Sequence, residues 1–225
     1  MTSSDRRLID RRTLDWVTLD VGETIIDETR AWRTWAELLA VPFLTLAAAL
    51  GAVIERDDVH QSAFDLVDRA DWRSRIAEFE VRYGAFRRDD LYPDALRAMA
   101  GLKAAGFRVA VAGNQPASRT AELRRLGIDA ELVVMSDELR LAKPDLAFYR
   151  RLLELLGDPA PERVAYVGDR VDNDVLPARV AGLRAVWVRR GPWGVIQSLP
   201  DRSAADLVVG SLDELARRLA GPAHE

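Results

Sequence analysis

The sequence predicts an α/β protein in which helices cover both faces of a parallel sheet and a small all-helical cap follows the first strand. Three observations carry this expectation. Apolar, strand-like runs recur at 15–20, 107–112, 130–135, 164–168, 184–188 and 206–209. From residue 93 onward helical stretches alternate with them, the pattern of parallel strands joined by right-handed crossovers. Residues 27–91 break that rhythm, with helical periodicity and no convincing strand.

The first run, Trp16-Val17-Thr18-Leu19, ends on Asp20 and opens the turn Asp20-Val21-Gly22-Glu23-Thr24. Next, Trp32, Trp35, Ala36 and Leu39 fall three and four apart, one face of a helix that Pro42 ends or kinks. Trp72, Ile76, Phe79 and Tyr83 form a second such stripe. A structureless loop of this length is improbable, so the segment is expected to be a cap with the tryptophans in its core. Helices are then expected at Pro93–Ala105, Pro116–Leu126 and Pro144–Leu156. Each starts at Pro and stops at Gly106, Gly127 or Gly157. A last helix is expected at Asp213–Leu219. The expected division is a Rossmann-like α/β core of residues 1–26 and 92–225 and a helical cap of residues 27–91. Pro192-Trp193 has no assignment: exposed loop, partner contact and core all remain open.

The 225 residues, 48% of them hydrophobic, suffice for a sizeable core. A net charge of -4 argues against nucleic-acid binding, so Arg6-Arg7 and Arg11-Arg12 are read as a solvated lead-in. Zero cysteines exclude thiolate catalysis and disulfides, and His60 and His224 are too few for a histidine zinc cage. No charged-then-apolar leader opens the sequence, so a cytoplasmic location is expected. The longest apolar stretch, Leu38 to Ile54, is interrupted by Pro42, Thr45 and Gly51, so no membrane span is expected.

Polar residues collect where the strands end. Asp20, Asn114 and Asp169 terminate three apolar runs, and Lys143 follows a fourth. Ligands of an open parallel sheet bind beyond those carboxyl ends. Asp169 and Asp174 are five positions apart and can face one point with Asp20. Such an acidic cluster needs a cation, and Mg2+ suits carboxylate oxygens combined with a substrate phosphate. Lys143, one of only two lysines, fits as an anchor for a phosphoryl oxygen and for the Asp20 charge. The Asn114 amide and the backbone after Gly113 can donate to an anion. Thr24 is expected to orient the first loop by local hydrogen bonding, and Gly22 to let it turn tightly. Helix capping or a surface position suits Asp172 better than metal ligation.

These motifs resemble those of the haloacid dehalogenase superfamily of aspartate-nucleophile hydrolases. The match runs through Asp20-Val21-Gly22-Glu23-Thr24, Gly113-Asn114, Lys143-Pro144-Asp145 and Gly168-Asp169 through Asp174, in order, with a helical insert after the first. The resemblance implies a Mg2+-dependent phosphatase acting on a small phosphorylated metabolite. Asp20 would attack phosphorus, with Lys143 and loop N–H groups beside the phosphoryl. It implies metal ligation by Asp20, the Gly22 carbonyl and Asp169, with Asp174 ligating through a water or holding that water.

Two positions depart from the pattern. The phosphatases of the superfamily usually carry a second aspartate, a general acid and base, where Gly22 stands; Glu23 is the nearest substitute. Gly113 replaces a hydroxyl residue. Gly22→Asp is therefore expected to raise activity. The alternatives are a 2-haloacid dehalogenase, which also lacks the second aspartate, and a catalytically weakened binding or regulatory protein. A phosphoacceptor receiver domain would not need the helical insert. No P-loop and no Gly-x-Gly-x-x-Gly motif is present.

Overall fold

The computed structural model of the chain describes residues 9, 13–68 and 70–221. The Arg6-Arg7 and Arg11-Arg12 pairs and His224 lie outside them. The chain forms β1 (Trp16–Leu19) and then four helices: α1 (Thr29–Leu38), α2 (Phe43–Glu55), α3 (Ser62–Leu66) and α4 (Ile76–Tyr83). Alternation follows, through α5 (Ala95–Ala104), β2 (Arg108–Gly113), α6 (Ser118–Arg125), β3 (Leu132–Met135), α7 (Ser136–Leu139), α8 (Leu146–Leu155) and β4 (Val164–Gly168). The last elements are α9 (Leu176–Val180), β5 (Arg184–Val188), α10 (Gly191–Ile196), β6 (Leu207–Val209) and α11 (Leu212–Ala220).

The six strands lie in the order β3-β2-β1-β4-β5-β6, every neighbouring pair parallel. All six expected strands form, with ends shifted by at most two residues. Alternate residues of β1 face opposite layers, as a pleated strand requires. Val17 and Leu19 join Leu102 of α5 and Leu215 of α11, whereas Trp16 joins Phe148 and Leu152 of α8. Helices therefore cover both faces. The chain builds outward from β1 to β3, returns to β4 beside β1, and builds outward again. The carboxyl ends of β1 and β4 thus flank a topological switch point, where α/β sheets bind ligands.

Between β1 and α5 the described residues form helices and turns, with isolated bridges at Gly22–Ile26 and Ile26–Leu91. The two chain crossings run side by side: the Asp27 N–H donates to the Asp90 carbonyl at 2.7 Å. Arg30 ties them further, donating to both carboxylate oxygens of Asp90. The expected Trp32 face lies on α1, and Pro42 directly precedes α2. The second stripe is not one α-helix. Ala70–Arg75 form a 3-10 segment before α4 begins. Its tighter winding rotates the face, leaving Ile76 44% exposed while Trp72 and Tyr83 are buried.

Pro192-Trp193 begins α10, and Trp193 is buried with Trp32, Leu46 and Phe64 of the helical insert. Among the described residues no single helix is long and apolar enough to cross a membrane.

Candidate active site

Burial of the strands fixes where their ends emerge. Val164 to Val167 of β4 have no exposed surface, and the next strand pair holds the rim from below. The indole N–H of Trp187 on β5 donates to the Asp169 carbonyl at 2.7 Å, and the Asp20 N–H donates to the Val167 carbonyl at 2.9 Å. Asp20 and Asp169 are thus held side by side. After Asp169 the chain makes one wide π-type turn over Val171–Val175. The Tyr149 hydroxyl anchors it by donating to the Asn173 carbonyl at 2.7 Å. That turn swings Asp174 back to the rim.

Asp20, Asp169 and Asp174 each bring a carboxylate oxygen within 4.8 Å of the others. The Lys143 ammonium donates to Asp20 Oδ1 at 2.6 Å and to Asp174 Oδ1 at 2.5 Å. The second Asp174 oxygen accepts from the Arg170 N–H at 3.0 Å. Asp169 Oδ2 is buried without a hydrogen-bond partner. Three buried carboxylates against one ammonium leave excess negative charge, and an unpartnered buried oxygen is costly. Burial pushes the Asp20 carboxyl up to about 6 against the pull of Lys143. Burial, then Asp174 and Asp20, raise Asp169 well above the usual range. Burial opposes the Lys143 charge, but Asp174 and Asp20 outweigh it and raise its pKa. This donor set fits a hard, oxygen-seeking divalent cation such as Mg2+.

Several predicted residues have other tasks. Asn114 does not aim its amide at an anion: Nδ2 donates to the Lys143 carbonyl at 2.8 Å and Oδ1 accepts the Lys143 N–H at 2.9 Å. It clamps the lysine loop instead. The Thr24 hydroxyl makes no hydrogen bond and is fully buried, so it neither orients the loop nor reaches substrate. Glu23 has φ 49° and its carboxylate is engaged. One oxygen accepts the Glu28 N–H at 3.0 Å and the other accepts the Tyr92 hydroxyl. It braces the first loop against the segment leaving the insert, which leaves it poorly placed for proton transfer. Asp172 pairs with Arg170 and accepts from Gln197, in keeping with a surface role. Gly113 faces Asp20, and a Cβ there would stand 2.8 Å from Asp20 Oδ1 and 2.9 Å from a Val21 methyl. A hydroxyl residue does not fit while Asp20 and Val21 hold these positions.

Glu28, which the sequence reading missed, stands at the start of α1. A Cβ on Gly22 would lie 2.5 Å from its Oε1. The Glu28 carboxylate therefore occupies the space that a side chain at 22 would need. An aspartate at 22 would have to push the end of the Glu28 side chain aside. Burial pushes the Glu28 carboxyl up to about 8, with Glu23 and Asp20 adding to the shift. Its only sequence signal, an acid opening a helix, is common for dipole reasons.

A cavity of about 350 Å³ joins these groups to the helical insert. Trp32, Trp35 and Trp72 line it as well as packing with the insert's apolar residues, so they add a place on the cavity wall to the core role expected of them.

The raised carboxyls give a stability prediction for the metal-free protein. A group whose folded pKa exceeds its unfolded value stabilises below the unfolded pKa and loses that contribution as pH rises through the folded one. Burial, then Arg170, lower His60 to about 4, which acts in the opposite sense below pH 6.5. Between about pH 6.5 and 8 Glu28 and Asp169 dominate. Thermal midpoints in EDTA are expected to fall across this window and to recover at pH 8 on adding Mg2+. A flat profile unaffected by metal would contradict the charge assignment.

The profile of the haloacid dehalogenase-like hydrolases matches residues 14–182. The chain is similar to the phosphoserine phosphatase of Thermus thermophilus, 34% identical over 184 residues that cover 80% of this chain and 71% of that protein. It is also similar to the glyceraldehyde 3-phosphate phosphatase of Methanocaldococcus jannaschii, 35% identical over 127 residues, 55% of this chain and 54% of that protein. A predicted phosphoglycolate phosphatase from Haemophilus somnus shares the fold, with a TM-score of 0.68 at 18% identity over 90% of this chain and 96% of that one. With an aspartate ending β1, a lysine bridging it to Asp174 in the turn after β4, and a profile match spanning most of its length, the chain belongs to the haloacid dehalogenase-like hydrolase family.

Proposed function

We propose that the protein is a Mg2+-dependent phosphomonoester hydrolase with Asp20 as nucleophile. The observation that carries this reading is the convergence of Asp20, Asp169 and Asp174, the first and last of them bound to one ammonium and Asp169 left with an unpartnered oxygen. Asp20, Asp169 and the Gly22 carbonyl would hold the metal, and Asp174, which fixes Lys143, would hold it through a water. Bound Mg2+ supplies charge neutralisation for the transferring phosphoryl oxygens.

Asp20 attacks phosphorus, the P–O bond to the alcohol breaks, and an aspartyl-phosphate forms. The departing alkoxide needs a proton, and Glu28 is the carboxyl placed to give it. Water then attacks the same phosphorus, passing its proton to Glu28, and Asp20 and inorganic phosphate are released. Lys143 holds the nucleophile and faces the developing charge. Residues 27–91 act as a cap over the core of 1–26 and 92–225, keeping bulk water from the intermediate.

A metal-free attack on carbon, the dehalogenase reading, leaves the acidic cluster without purpose. The weakened-enzyme reading rested on Gly22 and Gly113, and Glu28 supplies a carboxylate where Gly22 has none.

The test is phosphate release from p-nitrophenyl phosphate with Mg2+ and with EDTA, beside an Asp20→Asn variant. Turnover is expected only with metal and is expected to vanish in the variant. Undiminished turnover by Asp20→Asn would overturn the assignment. Chloride release from 2-chloropropionate without metal would replace it with the dehalogenase reading.

A further inference from the structure

The far wall of the cavity is made of rings. Trp32, Trp35, Phe64, Trp72, Phe79 and Tyr83 all line it. Trp35 stacks on Phe79 with centroids 4.3 Å apart and planes 6° apart, and Phe79 stacks on Tyr83 at 5.3 Å and 9°. Trp35 and Phe79 are only half-buried, so this column is not sealed inside the insert. Stacked on both sides, Phe79 has only its ring edge left to offer, and aromatic edges favour the face of another flat ring over a short polar chain.

Charge around the cavity points the same way. The described residues lining it include three strong cations, and each already has a carboxylate partner. Lys143 is bound to Asp20 and Asp174. Arg119 pairs with Glu122 at 2.6 Å and lies 3.6 Å from Glu80. Arg170 pairs with Asp172 at 2.5 Å and covers the Trp193 ring. His60, edge-on to Trp32 and Trp193, is held neutral by burial and Arg170. Glu28 and Glu80 also line the space. A substrate carboxylate would find each of these cations already paired with an acid.

Resting on the phosphatase reading above, we infer that the site takes a phosphomonoester whose organic part is a flat, uncharged ring, in preference to one bearing a carboxylate. The phosphate sits at Asp20 and Lys143, and the ring reaches the Trp35–Phe79 column.

Two esters of primary alcohols test this without a large difference in leaving-group reactivity: 2-phenylethyl phosphate and 3-phosphooxypropanoate. With Mg2+, kcat/KM is expected to favour the ring ester at least about tenfold. Calorimetric binding to Asp20→Asn with Mg2+ is expected to show the same order, whatever the turnover. Phe79→Leu, which keeps bulk but removes the aromatic edge and breaks the stack, is expected to reduce the preference mainly through KM. Equal or reversed preference in both measurements would overturn the inference. If metal-dependent, Asp20-dependent turnover persists in that case, the phosphatase reading stands alone. If turnover is absent but the ring ester binds better to Asp20→Asn, the substrate inference stands while the reaction assignment fails.

Discussion

Replacing Glu28 by glutamine is expected to lower kcat on phosphomonoesters by about 10²–10⁴-fold, the usual worth of general acid–base help. The amide keeps the shape and cannot carry the proton. Gly22→Asp alone is expected to lower activity with little loss of thermal stability, because its Cβ would stand 2.5 Å from Glu28 Oε1 and push that movable carboxyl group out of place. Combined with Glu28→Ala, which clears that space, Gly22→Asp is expected to recover much of the rate lost in Glu28→Ala. Steady-state kinetics on the four proteins, with thermal unfolding of each, reads this directly. A Glu28→Gln enzyme within threefold of the unaltered rate would mean that another group moves the proton.

Replacing Lys143 by alanine is expected to be the most destabilising single change at the site. Its side chain is 1% exposed and is bound to two buried carboxylates, on Asp20 and Asp174. Removing one partner of a buried ionic cluster typically costs about 3–5 kcal/mol, because the remaining charge is left uncompensated. Denaturant unfolding without metal is expected to show a loss of that size. Mg2+ is expected to restore part of the stability and none of the turnover. Lys143→Arg is not expected to rescue, since a planar guanidinium does not fit a space formed around a compact ammonium. A loss below about 1 kcal/mol would show that the cluster is not held by this ion pair.

The sheet was legible because its strands are buried on both faces and so read as apolar runs; Val164–Gly168 is fully buried along its length. The rim residues were legible because Asp20, Gly113 and Asp169 stand at the ends of those runs. Other features depend on geometry that periodicity does not encode. Gly191–Ile196, rich in glycine and proline, carries no helical pattern, yet α10 forms there to bury Trp193. The stripe from Trp72 to Tyr83 looked continuous because its spacing does not mark where 3-10 winding gives way to an α-helix, the change that turns Ile76 outward. Asn114 lines the cavity, yet its amide is held by backbone 29 positions away, a pairing that sequence spacing does not encode. Glu28 was missed because its meeting with Gly22 depends on the left-handed turn at Glu23 and on how α1 leaves it. Near-neighbour spacing gives no hint that residue 28 fills the place of a side chain at 22.

Trp193 belongs by sequence to the α/β portion and by packing to the helices over it. Those helices are therefore not a portable module. Grafted onto a different scaffold without Gly191–Ile196, they would carry an indole-sized hole, and a designer exchanging specificities between relatives would have to move both pieces of chain together.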